Sequence, residues 1–388
     1  MHLGRDSCAR WTAMAALALL VCTVGVAPAF AAELCPNAAA AVLMDAATGR
    51  VLFEKAAHEP RAPASLTKIM TLVLVLEAVH QGRISLDDVV VASYEAARLG
   101  GSQIWLEPGE EMSVRELILA VAIASANDAC VALAEHLAGS EERFVRMMND
   151  KARQLGLRNT NFINSYGLDE EGQHISAYDV AVLARYAVSV PQLLDYTRIY
   201  EEHIREGKMW LVNTNRLVRF YPGCDGLKTG MTGRARYCLA ATAQRNGTRM
   251  IAVVLGCPDS RTRFAEAVSL LNWGFANWVT VPLVDKGERL GEVPVSRGAE
   301  ERVAVLAGDD LAVTVEVGRE DSVSWRAELP DQVEAPVRRG QEIGRLVALS
   351  DGEVLAEAPL VAAEEVPRVG MVQLLWRLLS RIWAMGAR

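Results

Sequence analysis

A serine and a lysine stand three residues apart at the start of an apolar run, "ASLTKIMTLVLVLEAVHQG", residues 64–82. This spacing places Lys68 one turn beyond Ser65 on the same face of a predicted helix, so the amine can reach the hydroxyl. A serine hydroxyl needs an adjacent base to become a nucleophile at neutral pH. Burial and a second nearby cation would lower the pKa of Lys68 enough for that role. The pattern alone is also typical of a helix cap followed by a solvated lysine.

Two further tripeptides place polar groups where an amide substrate could be held. In Ser125-Ala126-Asn127, which interrupts a helical pattern, the serine can relay a proton to a leaving amine and the asparagine can bind a substrate backbone. Lys228-Thr229-Gly230 lies at the start of a predicted strand. Its lysine and threonine offer a cation and a hydroxyl to a carboxylate of the substrate. The glycine lets another backbone approach closely. Taken singly, the first tripeptide is also typical of a helix cap and the second of a strand edge.

The bulk composition excludes several other classes of protein. The chain has 388 residues and a formal net charge of -8, which gives no electrostatic support for a nucleic-acid partner. None of the 6 histidines lies in a G-x-S-x-G or H-E-x-x-H context. The cysteines beyond the N-terminal segment match no zinc-ligand spacing and predict small buried residues rather than a disulfide scaffold. They are Cys35, Cys130, Cys224, Cys238 and Cys257.

Both ends of the chain predict a protein that works outside the cytoplasm. Residues 1–32 contain arginines, an apolar run and small residues before a cleavage point, as in a secretory signal peptide. An uncleaved membrane anchor is the alternative, although the run is shorter than a usual span. Residues 367–388 place three arginines on one side of a predicted helix and leucines and tryptophans on the other. We expect this helix to lie on the outer face of the cytoplasmic membrane; a terminal helix packed on the core is the alternative.

The pattern between these ends predicts two domains. Residues 33–278 have apolar strands at both ends and mainly helical patterns between them. This order predicts an α+β domain with one antiparallel sheet built from both ends and a helical region beside it. Its last two strands are joined by the hairpin signal Asn246-Gly247. Residues 279–366 are short alternating strands with Gly and Asp turns, which predicts a small all-β domain, either a sandwich or a barrel.

The three motifs, in this order and at these separations, resemble those of class A β-lactamases and penicillin-binding proteins. The longer stretches "SANDACVALAEH", "NTNRLVRFYPGCDGLKTGMTGRARYCLAATA" and "LLNWGF" are similar to the low-molecular-weight penicillin-binding proteins, the D-alanyl-D-alanine carboxypeptidases of serine peptidase family S11. The resemblance is specific over residues 38–277, and the second domain and C-terminal helix match the family's architecture by a weaker signal. It implies a β-lactamase/transpeptidase-like catalytic fold and removal of the terminal D-alanine from peptidoglycan stem pentapeptides.

The resemblance also implies roles for single residues. Ser65 would attack the carbonyl of the penultimate D-alanine and carry the acyl-enzyme, with Lys68 as the general base. Ser125 and Lys228 would serve proton transfer and charge balance. Asn127 would orient the substrate amide.

A second set of implied roles concerns substrate binding. The backbone N–H groups of Ser65 and of Met231, the residue after Gly230, would form the oxyanion hole. Thr229 and Arg263 would grip the terminal carboxylate of a stem peptide that ends in D-Ala-D-Ala. Penicillin would mimic that dipeptide and acylate Ser65, which makes β-lactams inhibitors. No metal or organic cofactor is implied.

Two other functions share this motif set. A β-lactamase would need an added carboxylate to activate the deacylating water. The candidates Glu170 and Glu171 lie in "GLDEEGQH", which lacks the pattern of that loop. A β-lactam-sensing or wall-binding protein would acylate without turning over, although intact Ser65, Lys68 and Lys228 argue against a dead site. Release of D-alanine would distinguish a carboxypeptidase from such a sensor.

Overall fold

The structure is a computed structural model that describes residues 34–370. The predicted signal peptide, residues 1–32, lies outside the described residues, and so does the predicted membrane helix apart from residues 367–370, which are not helical. Within the described part of the chain, no helix combines the length and the apolar character needed to cross a membrane.

The first domain contains nine strands, which are β1 Ala40–Asp45, β2 Val51–Lys55, β3 Val89–Val91, β4 Glu111–Ser113, β5 Glu201–Ile204, β6 Met209–Val212, β7 Cys224–Thr232, β8 Arg236–Arg245 and β9 Thr248–Cys257. Five of them form the antiparallel sheet β2-β1-β9-β8-β7, so both ends of the segment build one sheet, as the sequence predicts. Asn246 and Gly247 both have positive φ and make the predicted tight turn between β8 and β9.

Helices cover both faces of this sheet. They are α1 Lys68–His80, α2 Tyr94–Ala97, α3 Val114–Leu119, α4 Asn127–Ala138, α5 Glu141–Gln154, α6 Ala177–Ala187, α7 Leu193–Thr197, α8 Leu217–Phe220 and α9 Ser260–Asn277. A 3₁₀ turn, Ala64–Thr67, precedes α1, and a π-helical turn, Ala120–Ala124, follows α3. One sheet face packs against α8 and α9, and the other packs against the helical region.

Helix α1 occupies the centre of the helical region. It is apolar on nearly every side, and 10 of its 13 residues are buried, which is how a helix without a polar face must be placed. It ends at His80, with Gln81 as its C-cap before Gly82 at φ 67°, as the glycine stop predicts. The sequence predicted a helix that begins near Ser65. In the structure Ser65 lies in the 3₁₀ turn and the α-helix begins at Lys68, so a rigid, buried helix presents Lys68 from its first residue.

The second domain is all-β, as predicted. Its strands are β10 Trp278–Val284, β11 Arg289–Ser296, β12 Arg302–Ala307, β13 Leu311–Glu316, β14 Val323–Glu328, β15 Val333–Glu334, β16 Glu342–Ser350 and β17 Glu353–Ala362. β10 pairs with β13, and the other six form a sheet in the order β14-β16-β17-β12-β11-β15. The pairing of β11 with β15 is parallel and the remaining pairings are antiparallel. Valines, leucines and alanines from these strands form a separate hydrophobic core.

Polar contacts join the two domains at the turn between β1 and β2. The carboxylate of Asp45, which is fully buried, accepts a hydrogen bond from the Thr280 hydroxyl at 2.6 Å. The backbone N–H of Thr280 donates to the hydroxyl of Thr248 at 2.9 Å. Arg50 donates to the carbonyl of Thr314 at 2.7 Å. Because these partners come from fixed positions on strands, the junction is a specific interface rather than a loose linker.

Candidate active site

The predicted nucleophile and base are in contact. The Nζ atom of Lys68 lies 3.1 Å from the Oγ atom of Ser65, one turn earlier on the same face. Lys68 has no solvent exposure, whereas the 3₁₀ turn leaves Ser65 partly exposed at the surface of the cleft. The pair therefore has the arrangement that a serine nucleophile requires, with the base behind the hydroxyl and the substrate side open.

Two acceptors fix the orientation of the Lys68 amine. Nζ donates to the side-chain oxygen of Asn127 and to the main-chain carbonyl of Tyr166, both at 2.6 Å. Both oxygens can only accept, so they use two N–H bonds. A neutral amine has two N–H bonds and one lone pair, and the third direction points at Ser65. The geometry therefore places the lone pair of neutral Lys68 where it can take the Ser65 proton.

Burial in the cleft increases the share of Lys68 that is in this neutral form. Burial lowers the pKa of Lys68 to about 8, although nearby Cys130 and Asp128 oppose this shift. A pKa near the operating pH is what an efficient general base needs. Of the causes expected from the sequence, burial is the one that lowers the pKa of Lys68 most.

Lys228 is the second amine of the cleft, and it is almost completely buried. Among the described residues, no hydrogen-bond partner reaches its Nζ atom. Burial lowers the pKa of Lys228 far below its usual range, and the charge of Lys68 lowers it further. An unpaired buried amine is costly, and its retention points to a partner that the substrate supplies.

The Ser125 motif lies at a break between helices, as predicted. The π-helical turn 120–124 ends at Ser125, which adopts a left-handed conformation with φ 64° and ψ 31°, and α4 begins at Asn127. The side-chain NH₂ of Asn127 donates to the carbonyl of Gly100 at 2.7 Å, and its backbone N–H donates to Ser102 at 2.8 Å. These bonds assign the amide orientation, because the NH₂ group is engaged on one side and the oxygen faces Lys68 on the other.

Sequence reasoning missed the segment that supplies the Tyr166 carbonyl. Gly167, with φ 95°, follows Tyr166, and its N–H donates to the side chain of Asn164 at 2.6 Å. Thr71 of α1 donates to the carbonyl of Ser165 at 2.6 Å. A main-chain oxygen leaves no residue signature. The glycine in "NSYGLDEEG" was the available signal for a constrained turn.

The Lys228-Thr229-Gly230 motif lies on β7, the edge strand of the sheet. A Cβ at Gly230 would lie 3.0 Å from the Cβ of Ala64 and 3.2 Å from the nitrogen of Ser65, so glycine permits the close approach that was predicted. Met231, the next residue, is exposed. An edge strand with unpaired backbone groups can bind an extended peptide beside it.

A cavity of about 510 Å³ lies beside Thr229. Thr229 donates to the hydroxyl of Thr214 at 2.7 Å, and Thr214 lines the cavity together with Arg216 and Arg263. One nitrogen of Arg263 donates to the carbonyl of Gly230 at 3.0 Å, and its Nε atom has no partner among the described residues. Arg263 thus bonds to the backbone of β7 and, with Arg216, gives the cavity two positively charged side chains. Neither Thr214 nor Arg216 was predicted to belong to the site.

The loop that a β-lactamase would use for a water-activating carboxylate is arranged differently here. Glu170 and Glu171 are exposed. The same loop presents the Tyr166 carbonyl to Lys68. Within residues 34–370 there is also no group of three or more His, Cys, Asp or Glu residues placed to hold a metal ion.

Comparison with known proteins decides between the families that share this geometry. A family profile described as D-alanyl-D-alanine carboxypeptidase, Peptidase S11, matches residues 29–259. The chain belongs to the D-alanyl-D-alanine carboxypeptidase family. A second profile, the C-terminal domain of penicillin-binding protein 5, matches residues 278–368. The resemblance read from the motifs is therefore confirmed, and the β-lactamase alternative is dropped.

Individual members of the family match over most of the chain. The D-alanyl-D-alanine carboxypeptidase DacF of Bacillus subtilis is 44% identical over 352 residues, which is 90% of this chain and 90% of that protein. The structure of penicillin-binding protein 5 from Haemophilus influenzae aligns with a TM-score of 0.76 at 35% identity, over 87% of this chain and 98% of that one. Ampicillin-bound penicillin-binding protein D2 from Listeria monocytogenes aligns with a TM-score of 0.57 at 34% identity, over 62% of this chain and 98% of that one.

Proposed function

We propose that the protein is a serine-type D-Ala-D-Ala carboxypeptidase of peptidoglycan metabolism in which Ser65 is the nucleophile and Lys68 the general base. One observation supports these roles above the others. The buried amine of Lys68 spends both N–H bonds of its neutral form on Asn127 and Tyr166 and directs its lone pair at the Ser65 hydroxyl.

Acylation then proceeds in two proton-balanced steps. The Ser65 oxygen attacks the carbonyl carbon of the penultimate D-alanine while its proton moves to Lys68. The backbone N–H groups of Ser65 and Met231 stabilise the negative oxygen of the tetrahedral intermediate. When the intermediate collapses, the amine of the terminal D-alanine leaves with a proton relayed through Ser125, and Lys228 balances the charge. Water then attacks the ester, returns the proton to Ser65 and releases the shortened peptide.

The substrate is held along the edge of β7. The stem peptide lies beside the unpaired backbone of this strand, which Gly230 allows to pack closely against the turn that carries Ser65. The side chain of Asn127 orients the scissile amide. Thr229 and Arg263 bind the terminal carboxylate of the substrate at the neighbouring cavity. This carboxylate supplies the negative charge that the buried Lys228 amine lacks in the protein alone. A β-lactam occupies the same place and acylates Ser65, in line with the ampicillin-bound relative.

The protein is proposed to act outside the cytoplasm, attached peripherally to the outer face of the cytoplasmic membrane. The signal-peptide pattern of residues 1–32 and the basic, tryptophan-containing amphipathic pattern of residues 367–388 support this placement. Sequencing the N-terminus of the exported protein tests the first part, with cleavage expected near Ala32. Flotation with anionic vesicles tests the second, and a chain ending at Pro367 that still floats would contradict it.

The decisive experiment measures D-alanine release from a pentapeptide ending in D-Ala-D-Ala. The full-length protein in detergent should release D-alanine and be labelled by fluorescent penicillin. Ser65→Ala should lose both activities. Ser324→Ala, at an exposed serine of the second domain, is the matched control and should keep both. Labelling without release would instead indicate a β-lactam sensor.

A further inference from the structure

Trp105 is held in an unusual position on the surface of the first domain. Its side chain is 69% exposed, whereas its neighbours Ile104 and Leu106 are 0% and 4% exposed. Its φ angle is 55°, in the left-handed region that bulky side chains rarely adopt. A glycine would fit this backbone without strain. The structure therefore exposes an aromatic ring to water at a position where glycine would give a more stable backbone.

The backbone around Trp105 is fixed from below by a buried carboxylate. Asp128 has no solvent exposure, and one of its oxygens accepts the N–H groups of Ile104 and Leu106, each at 3.1 Å. These two amides flank Trp105. Buried charge-assisted bonds of this kind are strong, so the tryptophan is presented on a rigid support rather than on a loose loop.

An arginine fixes the same segment from the side. Arg205 donates to the carbonyl of Ile104 at 2.7 Å and to the carbonyl of Trp105 at 3.4 Å. The guanidinium is itself held by an ion pair with Glu110 at 2.7 Å. Amides and carbonyls on both sides of the strained residue are therefore satisfied by protein groups.

This support is continuous with the catalytic cleft. Asp128 directly follows Asn127, whose side chain contacts Lys68. The segment that carries Trp105 also bonds Asn127 through the carbonyls of Gly100 and Ser102. The segment that carries Trp105 is thus tied to the site through Asn127 and Asp128, although Trp105 is not among the groups that hold the dipeptide.

We propose that Trp105 is a specificity residue that stacks on a sugar ring of the glycan to which the stem peptide is attached. This proposal rests on the proposed function, because it assumes a peptidoglycan substrate. The polar residues near Trp105 in the chain favour a sugar over an apolar partner, since Ser102 and Glu107 are exposed and Gln103 is partly exposed. A sugar has an apolar C–H face that stacks on an indole ring and a hydroxyl edge that bonds to hydroxyl, amide and carboxylate groups. A rigid tryptophan loses little conformational entropy when it binds.

The test compares two substrates that differ only in the sugar. One is the pentapeptide ending in D-Ala-D-Ala, and the other is the same pentapeptide linked to its disaccharide. In the wild type the disaccharide-linked substrate should have the higher kcat/KM. Trp105→Ala should reduce the ratio of the two kcat/KM values about ten-fold, and Trp105→Phe should restore part of it. Trp210→Ala is the matched control, an exposed tryptophan on β6, and should leave the ratio at its wild-type value.

Three results would overturn the proposal. The first is an equal kcat/KM of the wild type on the two substrates, and the second is an unchanged ratio in Trp105→Ala. The third is an equal loss of kcat/KM on both substrates in Trp105→Ala, which would mean that Trp105 serves the peptide or the loop itself. Trp105→Gly separates function from folding. It should keep or raise the thermal midpoint while it lowers the ratio, and a fall in the midpoint would make Trp105 structural. If the wild type released no D-alanine from either substrate, the proposed function would fail instead.

Discussion

Gly167 faces the carbonyl oxygen of Ala64 so closely that a Cβ at Gly167 would overlap that oxygen. The loop that gives its Tyr166 carbonyl to Lys68 is therefore packed directly on the turn that carries Ser65. The position also has φ 95°, which only glycine adopts freely. Two independent constraints thus select the same residue.

Gly167→Ala should destabilise the protein by about 3 kcal/mol, because the new methyl group meets a backbone atom and the φ angle is strained. It should also slow acylation of Ser65 at least ten-fold, since the carbonyl that orients Lys68 must move. Denaturant unfolding and fluorescent penicillin labelling measure the two effects. Gly172→Ala is the control in the same loop, with φ 84° and only ordinary van der Waals contacts at 3.9 Å for the new methyl group, and should cost only about 1 kcal/mol. Equal effects of the two substitutions would contradict the packing argument.

The rate of acylation should depend on the protonation of Lys68. With a pKa of about 8, roughly a tenth of the Lys68 amine is neutral at pH 7, and this fraction rises with pH. Because the neutral form is the base, the acylation rate by penicillin should increase from pH 6 to pH 9, with its midpoint near the pKa. Stopped-flow measurement across this range is the check. A flat profile would mean that Lys68 is not the proton acceptor, and Lys68→Arg should be inactive throughout because arginine stays charged.

Lys228→Met should separate stability from function. The Lys228 amine is buried without a partner in the described part of the chain, so an apolar side chain of similar length should stabilise the protein by about 1–3 kcal/mol. Peptide hydrolysis should fall about 100-fold, because the charge partner of the substrate is lost. Thermal unfolding and D-alanine release are the measurements. Lys151→Met is the contrast, since the 2.8 Å ion pair of Lys151 with Glu77 predicts a loss of stability there. A destabilised Lys228→Met would refute the argument.

A threonine of the domain junction, Thr280, can be compared with a buried threonine of the 3₁₀ turn, Thr67. Thr280→Val removes the hydroxyl that donates to the buried carboxylate of Asp45 and should cost about 2 kcal/mol. Thr67 is equally suited to replacement by valine, but its buried hydroxyl has no partner within residues 34–370. Thr67→Val should therefore be neutral or stabilising. Chemical denaturation of both variants is the test, and a similar loss in each would show that the Asp45 bond contributes nothing specific.

The sequence predicted those features that side-chain type and spacing determine. The contact between Ser65 and Lys68 follows from helical geometry, and the β8–β9 turn follows from Asn246-Gly247. The family could be recognised because three motifs share one order.

Features that depend on main-chain groups or distant packing could not be predicted. The Tyr166 carbonyl contributes an atom that every residue has. The Asp128 carboxylate accepts bonds from amides about twenty residues earlier in the chain, which only tertiary packing brings together. The parallel pairing of β11 with β15 depends on long-range topology. The catalytic and binding roles assigned to the site residues all stay predictions. These residues are Ser65, Lys68, Ser125, Asn127, Lys228, Thr229, Gly230, Met231 and Arg263.

The π-helical turn at residues 120–124 connects the buried helix α3 to the Ser125 motif. The turn ends at Ser125, whose left-handed backbone stops the helix, and α4 begins at Asn127. Val114, Leu117 and Ile118 hold α3 in the core. A one-residue deletion within the turn would therefore displace Ser125 and Asn127 relative to Lys68 while α3 stays in place. The position of the Ser125 motif thus depends on the number of residues in this turn as well as on their identity.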